Sequence, residues 1–421
     1  MPNPLTPLSA AANGLMHRRL FLKAGAGLVG GSALLTAQPA AATRAAWMKA
    51  PGRPMSRYGA PSEYESSVGR IGFGVSQPGT TGSGASRTPL EYLNGVITPS
   101  GLHFERHHSG VPDIDPDQYQ LLIHGLVERP LKFNLESLVR YPMVTRTQFL
   151  ECSGNSRALL NRTAAPLGCG EIHGLVSASE WTGVPLSILL DEAGVTTQGR
   201  WLVAEGGDAA MMSRSVPLAK AFDDALVALY QNGERLRPEN GYPARLFLPG
   251  YEGNMSIKWL RRIAVTARPA MTRDETSKYT DLQPDGTARM FTFDMAVKSV
   301  ITSPSPGLVL HQPGLYQISG IAWSGRGKIA RVEVSADSGK SWAEAALDEP
   351  VMSKCLTRFR AAWRWDGGPT SLMSRAIDEA GKVQPARAAY LEDNGPSTSY
   401  HCNMIQAWHV ASNGDVTNVY V

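Results

Sequence analysis

An α+β domain over residues 96–280, followed by an all-β sandwich over residues 281–421, is the fold class this 421-residue sequence predicts. Three observations carry that division. Short apolar runs alternate with short helical patterns in the first region, and no regular βαβ alternation or G-x-G-x-x-G turn points to a dinucleotide fold. Past residue 281 the helical signals fade, and turn residues recur at the spacing of a sandwich. The length also exceeds what one small core can fill.

The N-terminus comes first in the chain. "HRRLFLKAGAGLVGGSALLTAQPAAA" sets paired arginines, Arg18 and Arg19, before a Gly/Ala-rich apolar stretch that ends in small residues at Ala40 to Ala42. This is the layout of a signal peptide over residues 1–42, and "RRLFLK" is similar to a twin-arginine signal, the class that exports folded proteins. A periplasmic location is therefore expected. No later segment offers about 20 uninterrupted apolar residues, so no membrane span is expected. Residues 43–95, rich in Gly, Ser and Pro, are expected to form an extended surface arm.

Within 96–280, "YQLLIHG" (119–125), "TQFLEC" (147–152), "RWLVAEG" (200–206) and "ARLFLPG" (244–250) predict strands. "WTGVPLSILLDEAG" predicts a short helix that starts near Pro185 and stops at Gly194. In the second region "EVSADSGKSW" predicts a hairpin around Asp337 to Gly339, within an immunoglobulin-like unit of ordinary domain size.

Composition excludes several classes of function. A formal net charge of +4, with no dense basic run, argues against nucleic acid. Four cysteines, Cys152, Cys169, Cys355 and Cys402, are too few for a disulfide scaffold, and none forms a C-x-x-C or C-x-x-C-H pair. Zinc ribbons and covalently attached haem are thereby removed, and no haem is expected on this chain.

Cys152, at the end of an apolar run and before the small polar turn "SGNSR", has three readings. It is a buried small hydrophobe, a nucleophile served by one of the nine histidines, among them His107, His108, His124 and His173, or a soft metal ligand. As a ligand it could not hold a transition metal alone. A chelate with its own donor atoms would have to complete the set.

Longer motifs add a resemblance. "FERHHSGVPDIDPDQYQLLIHG", "FLECSGNSR", "EWTGVPLSILL" and "NGERLRPENGYPARLFLPGYEGNMSIKWLRRIAV" resemble, in order, the molybdenum-binding domain of the sulfite oxidase family. The region behind resembles that family's dimerisation domain. "PSEYESSVGR" and "YHCNMIQAWHVASNGDVTNVYV" are closest to its sulfane dehydrogenase branch.

The resemblance implies a molybdenum ion held by the two sulfurs of a pyranopterin (molybdopterin), with Cys152 as thiolate ligand. It implies Arg106, Arg157 and Tyr279 in the substrate pocket. It implies pterin and phosphate contacts from Arg106, His108, Asp208, Asn240, Arg245, Ser256, Ile257 and Lys258. A terminal phosphate calls for cations, and arginine suits it by its fork geometry.

The sequence also departs from the animal and plant sulfite enzymes. Ser156 stands where many have a second arginine, Asn240 where they have histidine, and "APLGCGEIHG" lacks their lysine and tryptophan. A less positive pocket is expected, suited to sulfane sulfur held on a carrier protein. The resemblance implies electron transfer to a c-type cytochrome subunit and a homodimer of this chain within a heterotetramer. Sulfite dehydrogenase activity on free sulfite, or a cofactor-independent cysteine hydrolase, are the other readings of the same residues.

Overall fold

The structure is a computed structural model that describes residues 10–16, 45–72 and 82–421. Arg18, Arg19 and Ala40 to Ala42 lie outside the described residues.

Two five-stranded sheets form the first domain. In one, the strands run in the order Glu234–Arg235, Leu226–Gln231, Val176–Pro185, Val144–Glu151, all antiparallel, with Arg245–Phe247 beside Leu226–Gln231. In the other the order is Leu131–Phe133, Leu121–Gly125, Leu260–Thr266, Trp201–Gly206, Ser213–Pro217, with one parallel pair in the middle. Leu121, Ile123, Leu202 and Ile263 are fully buried between the second sheet and its cover. The four strands expected from apolar runs are all present. "PLSILL" supplies the helix Leu186–Ala193, stopped by Gly194 at φ +70°. Pro185 closes the preceding strand and caps the helix instead of opening it.

Residues 84–86, within the stretch read as an arm, pair with the strand Glu105–His107 and so build part of the domain. Residues 45–65 are exposed, Trp47 and Tyr64 among them.

The second domain is an antiparallel sandwich. One sheet orders Lys298–Ser303, Gly314–Trp323, Thr357–Trp365, Ala346–Leu347, and the other Ala343–Glu344, Ile329–Ser335, Thr370–Asp378, Ala407–Val410, Val416–Val419. The expected hairpin joins Ile329–Ser335 to Ala343–Glu344, its turn held by Asp337 Oδ2 accepting from Ser341 Oγ at 2.6 Å. Trp323, Phe359, Trp363 and Trp408 fill the sandwich. Burying side chains of this size stabilises by about 1.5–3 kcal/mol each. The same apolar cluster runs into Phe149, Ile172, Val176 and Ala178 of the first domain, so one core spans both units. Among the described residues no helix is long and apolar enough to cross a membrane.

Candidate active site

A cavity lies in the first domain, lined by residues from both of its sheets and from the loops between them. Cys152 enters it directly after the strand Val144–Glu151 and is fixed by its N–H donating to Leu175 O at 2.9 Å. Beside it, Gly253 packs so closely that a Cβ there would lie 2.7 Å from Glu151 O, which is why the neighbouring turn carries no side chain at that point. Arg106 and His108 come from the strand Glu105–His107 and the residue after it. Asp208 follows the strand Trp201–Gly206, and a bulge at Leu260/Arg262 sits beside it, re-aiming the segment that carries Lys258. Asn240 ends a short turn, Arg245 begins a strand, and Ser256, Ile257 and Lys258 bridge the turn Gly253–Met255 to the strand Leu260–Thr266.

Every residue expected at the site lines this cavity except Arg157, which is exposed on the turn Arg157–Leu160. Residues that the sequence reading did not place at the site also line the cavity, notably His103, Glu239, Asn254 and Trp259, as does His107, which was weighed only as a base for a nucleophilic Cys152. His107 had a visible signal, because it lies between Arg106 and His108 in "ERHH". His103 had none.

Arg245 and Lys258 share the cavity wall, and neither forms a direct ion pair among the described residues, although Asp208 and Glu239 act on Lys258 from the same wall. Arg245 is 3% exposed and donates only to carbonyls, Asn240 O and Ser256 O, each at 2.9 Å, while its Nε has no hydrogen-bond partner. Burial lowers its pKa to about 9. Lys258 Nζ reaches Arg106 O, His107 Nδ1 and Glu239 O, and burial followed by repulsion from Arg245 drives its pKa well below the usual lysine range. Burial, then Lys258, lowers His107 to about 3, so it stays neutral. Such a cluster is costly unless an anion completes it.

At the Cys152 end the chemistry differs. Burial raises the pKa of the Cys152 thiol, with Arg106 acting in the opposite direction. The Tyr279 hydroxyl lies 2.8 Å from His108 Nε2; burial raises the tyrosine's pKa and lowers that of His108 to about 3. Tyr400 of the second domain packs against Tyr279 with its ring tilted by 38° and the centroids 5.4 Å apart, and the wholly buried Arg214 lies 5.2 Å from the Tyr279 ring. Tyr279, Trp259 and Ser156 all adopt φ between +49° and +65°, a region that non-glycine residues rarely occupy and that concentrates at functional sites.

Behind Cys152 the two domains share a buried polar network. Glu151 accepts from Trp323 Nε1 at 2.6 Å, Asn155 Nδ2 at 2.9 Å and Lys298 Nζ at 3.1 Å. Lys298 also donates to Ser156 Oγ, which pairs with His173 Nδ1 at 2.7 Å. A second link runs from His401 N to Ser153 O at 2.8 Å. The strand that delivers Cys152 is thus pinned on both sides by the sandwich.

Residues 108–273 match the family described as oxidoreductase molybdopterin binding domain, and residues 289–407 the Mo-co oxidoreductase dimerisation domain. The chain is 31% identical to sulfite oxidase of Gallus gallus over 349 residues, covering 76% of this chain and 74% of the relative. The chain belongs to the sulfite oxidase family of molybdopterin oxidoreductases.

Other members of the sulfite oxidase family include mitochondrial sulfite oxidase of Mus musculus, 30% identical over 351 residues, of which the chain spans 62% of the length and which matches 76% of this chain. Among solved structures, the sulfane dehydrogenase SoxCD from Paracoccus pantotrophus is similar with a TM-score of 0.88 and 45% identity, over 91% of this chain and 99% of that one. Family membership removes the cofactor-independent cysteine hydrolase reading. It also agrees with a thiol that no histidine hydrogen-bonds among the described residues.

The residues present fit a molybdopterin. Lys258 and the orphaned Arg245 Nε offer donors for a phosphate, and His103, neutral and donating through Nδ1 to Phe104 O, leaves its orphaned Nε2 as an acceptor for an N–H of the heterocycle. Among the described residues no group of three or more His, Cys, Asp or Glu converges as a metal site, so Cys152 would be the protein's thiolate donor and the pterin the remaining ligand set. Lys258→Met is expected to lower the molybdenum and pterin content of the purified chain by roughly tenfold or more. It should also raise the melting temperature of cofactor-free chain, because an unpaired buried cation is gone. Metal analysis and thermal melts check both arms.

Cys169, Cys355 and Cys402 are free and buried, each with its pKa raised chiefly by burial, as befits packing residues.

Proposed function

We propose that the chain is a periplasmic molybdenum oxidoreductase that oxidises sulfane sulfur held on a carrier protein and passes electrons to a c-type cytochrome. The observation that carries this reading is the likeness to SoxCD over nearly all of the chain, at 45% identity. The twin-arginine pattern at Arg18 and Arg19 supports the periplasmic part. The dimerisation-domain match supports a homodimer of this chain.

When bound, the molybdenum pyranopterin supplies two-electron oxidation at sulfur with oxygen drawn from water. Cys152 would be its protein ligand, and Asp208, Asn240, Ser256 and Ile257 would hold the pterin beside Arg245 and Lys258. Arg106 offers a guanidinium to the developing oxyanion. Tyr279, kept protonated and paired with neutral His108, orients that oxyanion without adding charge. Phe104, Leu150, Met212 and Ile257 supply the apolar wall that keeps the space dry.

The charge balance favours a carrier-bound substrate. Ser156, read above as standing in place of a second arginine, is 1% exposed and turns its hydroxyl to His173 and Lys298, and that ammonium is matched to Glu151, so neither residue adds charge to the cavity. Arg157 outside the wall is suited to an acidic rim on an arriving protein. Arg157→Met is expected to raise KM several-fold with kcat retained, and the effect should shrink at high salt.

Steady-state turnover with a soluble cytochrome c decides between substrates. Efficient oxidation of sulfite alone would leave a sulfite dehydrogenase, sharing its substrate with the animal relatives named sulfite oxidase, and would remove the carrier reading. Purified chain lacking both molybdenum and pterin would remove both.

A further inference from the structure

The strand Thr357–Trp365 pairs along its whole length with Gly314–Trp323 on one side. On its other side Ala346–Leu347 reaches only Arg360 and Phe359. Beyond that point the sheet has an open edge, with backbone donors and acceptors left to be satisfied. Residues 10–16 fill it. Met16 N–H donates to Ala362 O at 3.0 Å, Arg364 N–H donates to Gly14 O at 2.8 Å, and Leu15 bridges Trp363 antiparallel.

The contact is also selective. Asn13 Nδ2 donates to Ala336 O at 2.8 Å, and Asn13 O accepts from Trp363 Nε1 at 2.8 Å. Gly14 has φ +84°, and a Cβ there would fall 1.9 Å from Arg364 O, so a side chain cannot be accommodated. Leu15 is 1% exposed and joins the sandwich core. Three successive residues are each read by a different feature, which is how strand addition to a sheet edge acquires specificity.

We propose that the edge Ala361–Trp365 is a docking site for an Asn-Gly turn that leads into Leu-Met, and that its occupant is this chain's own segment Ala10–Met16, whose turn has Asn13 at φ +53° and Gly14 at φ +84°. The biological consequence rests on residues 1–42 being a leader. Arg18 begins two residues past Met16, so docking fastens the head of the leader to a unit that exists only once the C-terminal half has folded.

Hydrogen exchange on the full chain tests this without reference to catalysis. In the native sequence the Arg364 amide should exchange roughly tenfold or more slowly than in Gly14→Val, which is about 1.4 kcal/mol of protection. A free peptide of residues 10–16 added to the Gly14→Val chain should restore that protection, and the same peptide with Asn13→Ala should not. Equal exchange of Arg364 in the two chains would overturn the docking. Failure of the native peptide to restore protection, or equal restoration by the Asn13→Ala peptide, would overturn the site as one that reads Asn-Gly-Leu.

Discussion

Cys152→Ser is expected to fold, to melt within a few degrees of the native chain, and to lose turnover by more than about 100-fold, since even outer contacts to a metal are worth 10–100-fold. The fold should survive because the residue is only half-buried and its backbone bonds, to Leu175 O and from Asn155 N, do not involve the sulfur. Activity should fall because a hydroxyl is a harder and far less acidic donor than a thiol. Burial already raises the thiol's pKa, so a free thiolate at neutral pH is disfavoured and the metal is what would hold it deprotonated. Turnover retained in Cys152→Ser, with molybdenum still bound, would show that the sulfur is not the ligand.

Lys298→Met is expected to destabilise the chain by about 3–5 kcal/mol, the cost of leaving one member of a buried ion pair uncompensated. Lys298 and Glu151 side chains are 2% and 1% exposed. Without the ammonium, Glu151 would keep the Trp323 and Asn155 donors but carry an unmatched charge. Glu151→Gln in the same chain should recover most of the loss, because the amide keeps neutral bonding without the charge. Denaturant unfolding of the single and double variants measures this. Because Glu151 and Ser156 flank the Cys152 turn, the single variant should also lower kcat more than it raises KM. An unfolding free energy unchanged by Lys298→Met would show that the pair contributes nothing.

Much of the site was legible in the sequence because its residues lie in short, contiguous motifs. "QFLEC" is an apolar run that reads as a strand and delivers Cys152; "ENGYPAR" carries Asn240 and Arg245 within six residues, and "SIKW" sets Ser256, Ile257 and Lys258 side by side. The fold class was legible for the same reason, since apolar spacing is a local signal. What escaped depends on contacts between distant residues. Lys298 and Glu151 are 147 positions apart, and nothing near either announces the other. Tyr400 and His401 reach the catalytic domain from the far end of the chain. His103 gave no pattern beyond a lone histidine, and its place in the cavity wall follows from packing against Phe104 and Trp181. Arg157 was expected in the pocket from the family resemblance, but after the left-handed Ser156 it stands on an exposed face outside the cavity wall.

The apolar cluster that runs unbroken from Phe149 and Val176 into Trp323 and Phe359 has a thermodynamic consequence. Units joined by a polar, wet interface can melt one after the other. Here, separating the two would expose core side chains and strand the Glu151 carboxylate. Calorimetry should therefore record one cooperative endotherm for the whole body. Heat, denaturant or a substitution deep in the sandwich would then loosen the metal's ligand strand at the same point at which the sandwich itself gives way.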